Sequence, residues 1–175
     1  MIQPERVRPL NKAKIRSGDF VLYWMQAAQR AECNHALEYA VRQANDLGKP
    51  LAVFFGLTAD FPEANERHYA FLLEGLKETR AALLGRGIRL VVRRGPPDDG
   101  AVRVGRRAVL AVTDDGHLRI ERAWRARAAA GFRCPLVEVS TNTVVPVTTA
   151  SAKEEYGAAT LRSKIYRQLD RFLVP

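Results

Sequence analysis

Leu51-Ala52-Val53-Phe54-Phe55-Gly56-Leu57 is the stretch that decides the fold. It contains no polar side chain, so neither face of the segment is suited to water. A run of this length is too short to cross a membrane and is typical of a parallel strand that is buried on both faces. It therefore predicts an interior strand of an open sheet with helices on both sides.

The segments on either side of this run support the same architecture. Residues 32–47 carry apolar side chains at helical spacing and are followed by Gly48 and Pro50, which together indicate a helix end. Residues 20–24 are rich in strand-forming residues and predict the first strand. Residues 65–84 predict the longest helix, because leucines and a tyrosine recur at three- and four-residue steps.

The rest of the chain continues the alternation. Strands are predicted at residues 88–92, 108–112 and 135–139, and helices at 98–106, 118–130 and near the C-terminus. The helix at 98–106 is the weakest of these because it contains two glycines. The segment 142–149 is predicted to be irregular and β-prone. The final helix has an apolar stripe formed by Leu161, Ile165, Leu169 and Phe172.

Strand and helix thus alternate five times. This pattern predicts an α/β fold with a five-stranded, mostly parallel, Rossmann-like sheet and helices on both faces. Ligands of such sheets bind beyond the carboxyl ends of the strands, where the strand order reverses. The loops that begin at Met25, Thr58, Thr113 and Ser140 are therefore the candidate ligand loops.

Length and composition place the chain among globular domains. It has 175 residues, which suit one domain, and a formal charge of +9. The charge indicates either a polyanion partner or an arginine-rich coding bias spread over the surface. Cys33 and Cys134 are predicted to be buried free thiols in a reducing cytosol. No apolar run is long enough to span a membrane and no secretory signal is visible, so we expect a cytoplasmic protein.

Common catalytic motifs are missing from the sequence. It has no phosphate-binding P-loop, no nucleophile elbow, no C-x-x-C pair, and no glycine in the first strand-to-helix loop. His35, His68 and His117 lie far apart, so no metal site is predicted. Asp114 and Asp115, at a strand end, could bind a ligand or cap the next helix. No catalytic residue is therefore assigned.

Short fragments in a fixed order reveal a family resemblance. The first half contains Tyr23-Trp24-Met25, Gln29-Arg30, Asn34 with Ala36-Leu37, Phe55-x-Leu57-x-x-x-Phe61, and Arg67-x-Tyr69-x-Phe71-x-Leu73-x-Gly75-Leu76. The second half contains Val112-Thr113-Asp114, Leu118-Arg119, Trp124, Val144-Val145-Pro146, Ala150-Ser151, Lys153-x-Glu155-Tyr156, Ala159-Thr160 and Arg162-x-Lys164-Ile165. Together they resemble the N-terminal α/β domain of class II cyclobutane pyrimidine dimer photolyases over nearly the whole chain.

The resemblance has three departures, which cluster around the loops at the mouth of the expected ligand cleft. His35 replaces a tryptophan of the family, Ala28 stands where the family often has an acid, and residues 115–117 differ before Leu118. These changes bear on the antenna site more than on the fold.

The resemblance implies a light-dependent DNA repair lyase. Such enzymes split pyrimidine dimers with reduced FAD, which is held in a C-terminal helical domain that this chain cannot supply, so repair by the chain alone is not expected. The implied partners are that helical domain and, through the full-length protein, damaged DNA, whose target bases must leave the duplex. The α/β domain can hold an antenna chromophore, a deazaflavin or a folate.

The predicted antenna-binding residues lie around the carboxyl ends of the strands. They are Tyr23, Trp24, Met25, Arg30, Asn34, Asp114 and Arg119. Each has a structural alternative: core packing for the first three, a solvated or capping role for Arg30 and Asn34, and mutual pairing for the last two.

The predicted organisation has three parts. Residues 1–18 form an irregular lead-in, residues 19–150 the photolyase-type α/β domain, and residues 151–175 a helix that leads toward the FAD domain. Apolar residues of this last helix would then be partly exposed, which predicts self-association of the chain. Two other functions stay open: a stand-alone flavin- or nucleotide-binding module without repair activity, and a basic DNA-binding module.

Overall fold

A computed structural model describes residues 2–174 and shows a mixed α/β fold with one six-stranded sheet. The strands are β1 (Val7–Pro9), β2 (Phe20–Met25), β3 (Leu51–Leu57), β4 (Arg89–Arg94), β5 (Ala108–Asp114) and β6 (Leu136–Val139). The helices are α1 (His35–Asp46), α2 (Glu66–Gly85), α3 (Pro97–Val104), α4 (Arg119–Gly131), α5 (Val147–Ala150), α6 (Ala158–Tyr166) and α7 (Leu169–Phe172). Short 3-10 turns at Pro4–Arg6 and Gly105–Arg107 complete the elements.

The sheet is mostly parallel. Its strand order is β1-β6-β5-β2-β3-β4, and only the β1–β6 pair is antiparallel. From β2 the chain runs outward through β3 and β4, then returns to the other side of β2 with β5 and β6. The order therefore reverses between β2 and β5, whose carboxyl ends lie side by side at Trp24 and Thr113.

The core has two layers because successive side chains of a strand point to opposite faces. On β2, Val21, Tyr23 and Met25 join the cluster packed under α1 and α2, whereas Leu22 and Trp24 join the cluster under α3 and α4. All five are fully buried. This explains why β2 and β3 carry apolar or aromatic residues at every position.

The number of strands corrects the prediction of five. The sixth is β1, only three residues long, with an exposed arginine and a proline, so it lacks the apolar run that marks a strand. Side chains hold it at the sheet edge: Arg8 pairs with Glu138 of β6 at 2.7 Å, and Arg6 donates to the carbonyl oxygens of Thr143 at 3.0 Å and Val144.

One weakly predicted helix is confirmed, and two later segments differ from expectation. The weak helix forms as α3, because Gly100 lets it approach β3: a Cβ there would lie 2.5 Å from the ring of Phe54. The β-prone segment instead contains helix α5, which begins directly after Pro146. The final helix is broken into α6 and α7, whose apolar residues pack around Val145 and the buried Phe172.

The two cysteines have different environments. Both are free, but Cys33 is exposed and only Cys134 is buried. The prediction of two buried thiols was therefore wrong for Cys33, which sits in a loop with a left-handed φ of 48°. No helix among residues 2–174 is long and apolar enough to cross a membrane.

Candidate functional site

The carboxyl edge of the sheet is organised around the Asp114 side chain at the end of β5. Its Oδ2 accepts hydrogen bonds from the Tyr23 hydroxyl at 2.9 Å and from the backbone N–H groups of Gln26 at 3.2 Å and Ala28 at 2.9 Å. Its Oδ1 accepts from the N–H of Ala27 at 3.0 Å. Burial raises the pKa of Asp114, although these hydrogen bonds favour the carboxylate. The carboxylate therefore shapes the loop that follows β2.

Asn34 holds the other end of this loop, residues 26–34, by hydrogen bonds of its side chain. It is buried, and its Oδ1 accepts from the N–H of Leu37 at 3.0 Å, which makes it the N-cap of α1. Its Nδ2 donates to the carbonyl oxygens of Ala28 at 3.1 Å and Arg30 at 2.9 Å. Asp114 and Asn34 together fix the backbone conformation of residues 26–34, a loop that contains no glycine.

A cavity of about 350 Å³ opens beside this loop, above the ends of β2 and β3. We call it the aromatic cavity. Its apolar lining residues are Met25, Phe55, Leu57, Phe61, Tyr69, Leu72 and Trp124. The rings of Phe61 and Trp124 lie 6.2 Å apart at a 55° tilt. An apolar, aromatic lining of this size suits a flat organic ligand.

Six polar or charged side chains also line the cavity: Gln26, Gln29, Thr58, Glu63, His68 and Glu121. Gln26 lines it and donates its Nε2–H to Thr113 Oγ1 at 3.0 Å, while its buried Oε1 has no partner among the described residues. Because that oxygen is shielded from solvent, it is an unsatisfied buried acceptor next to the cavity. Glu121 also lines the cavity, and its Oε2 accepts from the N–H of Leu118 at 3.0 Å.

Of the seven predicted antenna-binding residues, the structure places only Met25 at the aromatic cavity. Tyr23 and Trp24 are buried in the core on opposite faces of β2, and Asn34 and Asp114 belong to the loop network described above. For Tyr23, Trp24 and Asn34 these placements match the structural alternatives of core packing and helix capping.

The two arginines lie outside the aromatic cavity. The Arg30 guanidinium donates to Asn142 Oδ1 at 2.7 Å and to the carbonyl oxygen of Cys33 at 3.1 Å. Arg119 is exposed and forms no ion pair within residues 2–174. The predicted alternative, a pair between Asp114 and Arg119, does not form because loop amides and Tyr23 surround the carboxylate.

Sequence reasoning missed most of the cavity wall. Phe61, Tyr69 and Trp124 come from a loop, α2 and α4, and only the tertiary fold brings them together. All three were part of the family fragments, so aromatic residues shortly after strand ends were the available signal. Within the described part of the chain, no group of three or more His, Cys, Asp or Glu side chains could hold a metal ion.

Comparison with known proteins gives one family for nearly the whole chain. The family model described as DNA photolyase matches residues 21–175. A deoxyribodipyrimidine photo-lyase of Methanothermobacter thermautotrophicus is 52% identical over 177 residues, which cover all of this chain and 40% of the relative. The enzyme of the same name from Potorous tridactylus is 35% identical over 87% of this chain and 29% of its own length.

Length and fold comparisons add two facts. This chain spans between 29% and 40% of the length of the four curated relatives it matches. A crystal structure from Pseudomonas aeruginosa assigned to the universal stress proteins has a TM-score of 0.50 and 14% identity, covering 74% of this chain and 50% of that one. At that identity the similarity concerns the fold alone.

Proposed function

The chain belongs to the DNA photolyase family, and on that premise we propose that it is the antenna-binding α/β domain of a class II cyclobutane pyrimidine dimer photolyase. The longer protein would repair pyrimidine dimers in light, with FAD held in a separate helical domain. Damaged DNA and that helical domain are its proposed partners. The same proposal divides the chain into three parts. Residues 1–18 are a lead-in, residues 19–150 form the α/β domain, and residues 151–175 lead toward the helical domain.

The observation that carries this proposal is the aromatic cavity. Phe61 and Trp124 offer tilted rings to a flat chromophore, and Met25 and Phe55 form an apolar floor. Gln26 lines the cavity with a buried, unpartnered Oε1, which we propose turns toward a ring N–H of the ligand. A deazaflavin or folate antenna, which when bound absorbs light and passes the energy on, has this combination of an extended ring system and ring N–H groups.

This chain's own residues have a binding role in that function. Asp114 and Asn34 hold the loop that carries Gln26, so the cavity wall is in place before a ligand enters. Apolar side chains exclude water from the ring. No side chain of this domain is required to form or break a bond in the proposed reaction.

A second candidate is a stand-alone flavin- or nucleotide-binding module. It is favoured by one observation: every residue that lines the aromatic cavity lies between positions 25 and 124 of this chain. Ring binding would therefore need no other domain. The two candidates share the site and differ in whether the binding serves repair.

Riboflavin titration tests the site, with quenching of flavin fluorescence as the readout. We expect riboflavin to bind, and Trp124→Ala to weaken binding by about tenfold because the stacking face is lost. Phe71→Ala is the matched control, since Phe71 is 80% exposed on α2 and lies outside the cavity. Equal affinity of the wild type and Trp124→Ala would reject the cavity as the chromophore site. The same titration with Arg30→Gln and Arg119→Gln tests whether these two predicted antenna-binding residues contact the flavin.

An immunoblot of source-cell extract separates the two candidates. A band well above the 19.6 kDa of this chain is expected if the domain belongs to a photolyase. A band at that mass would favour the stand-alone module.

A further inference from the structure

Four arginines line a second cavity, on the α3 side of the sheet. Arg93 and Arg94 come from the end of β4, and Arg103 and Arg107 from α3 and the turn that follows it. All four are exposed and face a concavity of about 430 Å³, which we call the arginine groove. Converging guanidinium groups create a positive potential and match the geometry of phosphate and carboxylate groups.

Three of these arginines have no anionic partner among the described residues. Arg107 pairs with Asp19 at 2.5 Å, but no carboxylate lies within 4.0 Å of the guanidinium groups of Arg93, Arg94 or Arg103 within residues 2–174. Three of the four charges of the groove are therefore not neutralised by this part of the chain, and an external anion would gain from them.

A connecting cavity of about 460 Å³ lies between the arginine groove and the aromatic cavity. Thr58 and Trp124 line both the connecting cavity and the aromatic cavity. Arg94 lines both the connecting cavity and the arginine groove. The connecting cavity thus adjoins the other two at the carboxyl edge of β3 and β4. From Arg94 at that edge, the arginine groove extends along α3 to Arg107, which directly precedes β5.

The size of the aromatic cavity limits what it can enclose. Its volume of about 350 Å³ is near the lower end of the range for ligand sites, about 300 to 1,000 Å³. A fused ring system fills such a space, and a chain attached to the ring must lie outside it. The connecting cavity offers a path that ends among guanidinium groups.

We propose that the arginine groove binds the anionic chain, carrying phosphate or carboxylate groups, of the same ligand whose ring occupies the aromatic cavity. This inference rests on the proposed function and adds the chemical class of the ligand. Asp60 is the one carboxylate that lines the connecting cavity in the described structure, and it opposes the passage of an anion.

A nucleic-acid backbone is the rival occupant of these arginines. The cavities favour the ligand chain, because Arg94 lines both the arginine groove and the connecting cavity, which in turn adjoins the aromatic cavity. The backbone of a DNA duplex would gain no additional contact from the fact that the three cavities adjoin.

Riboflavin and FMN provide a matched pair of probes, because they differ only in the terminal phosphate. We expect FMN to bind the wild-type chain about tenfold more tightly than riboflavin, as for one charge-assisted phosphate contact. The double variant Arg94→Gln/Arg103→Gln should bring the FMN-to-riboflavin affinity ratio close to one. Arg80→Gln, an exposed position on α2 outside the three cavities, should retain the ratio. Asp60→Asn should increase it.

Each result has a distinct meaning. Equal affinity of the wild type for FMN and riboflavin would overturn this inference and leave the proposed chromophore site standing. Failure of both flavins to bind would overturn the proposed function and this inference with it. A double variant that loses affinity for a double-stranded oligonucleotide, with an unchanged flavin ratio, would overturn the inference in favour of a nucleic-acid surface.

Discussion

Tyr23 on β2 donates its hydroxyl hydrogen to Asp114 on β5 at 2.9 Å, and both side chains are fully buried. The bond joins the two strands between which the sheet order reverses. Burial, reinforced by the negative charge of Asp114, raises the pKa of Tyr23, so the phenol stays protonated and keeps donating. One carboxylate thereby links the core to the loop at the candidate site.

Asp114→Asn should destabilise the domain. An amide has one acceptor oxygen where the carboxylate has two, so loop N–H groups of residues 26–28 lose partners. We expect the free energy of unfolding in urea to fall by about 2 to 3 kcal/mol. Tyr23→Phe, which removes a single donor, should cost about 1 kcal/mol. Similar costs for the two variants would contradict the central role of the carboxylate.

Two glycines should respond to alanine in opposite directions. At Gly56 of β3 a Cβ would lie 2.5 Å from Pro97 Cα at the start of α3, so Gly56→Ala should lower the unfolding free energy by about 1 to 3 kcal/mol. Gly75 lies within α2 with open space around its Cα, so Gly75→Ala should raise it by about 0.5 to 1 kcal/mol. Thermal melts of both variants check the signs; a stabilising Gly56→Ala would refute the close β3–α3 contact.

The two thiols should react at very different rates. Cys33 is exposed, whereas Cys134 is buried and its burial raises the pKa of the thiol to about 11. A thiol reagent at neutral pH should label one cysteine in the native protein and the second only after unfolding. Cys33→Ser should remove the fast reaction. Fast labelling that persists in Cys33→Ser would show that Cys134 is accessible.

Glu155 should titrate far below its ordinary range. Hydrogen bonds from Lys164 and Ser151 lower the pKa of Glu155 from 4.5 to about 2. A lowered pKa stabilises the fold above pH 4.5, and this contribution is lost as the pH falls toward 2. The carboxyl carbon resonance should report that midpoint by NMR. Lys164→Gln should move it upward, while Lys153→Gln, the same charge change at an exposed site, should not; equal midpoints in all three proteins would disprove the contact.

The strands were predictable because their signal is local. The continuous apolar run at 51–57 became β3 with the predicted limits, and the mostly parallel α/β class followed from five such alternations. The photolyase resemblance is confirmed at the level of the family, while class II and dimer specificity stay proposals. Strand β1 was not predicted, because its own composition does not indicate a strand. Contacts of Arg6 and Arg8 with residues far away in sequence hold it in the sheet.

The candidate site was only partly predictable. The sequence predicted ligand loops at the carboxyl ends of the strands, and a cavity that Met25 lines is present there. It could not separate a carboxylate that binds a ligand from one that holds a loop, as Asp114 does, because both appear as an acid after an apolar strand. Phe61, Tyr69 and Trp124 were visible as family residues without any sign that they meet.

The sequence by itself determined the alternation of strands and helices and the family to which the chain belongs. Both can be inferred from local patterns, namely the spacing of apolar residues and the order of short motifs, because these involve residues that are close in sequence. Only the tertiary structure decided the strand order, the sixth strand, the partners of Asp114 and the walls of the three adjoining cavities. These depend on residues far apart in sequence, whose meeting is set by how the helices pack on the two faces of the sheet.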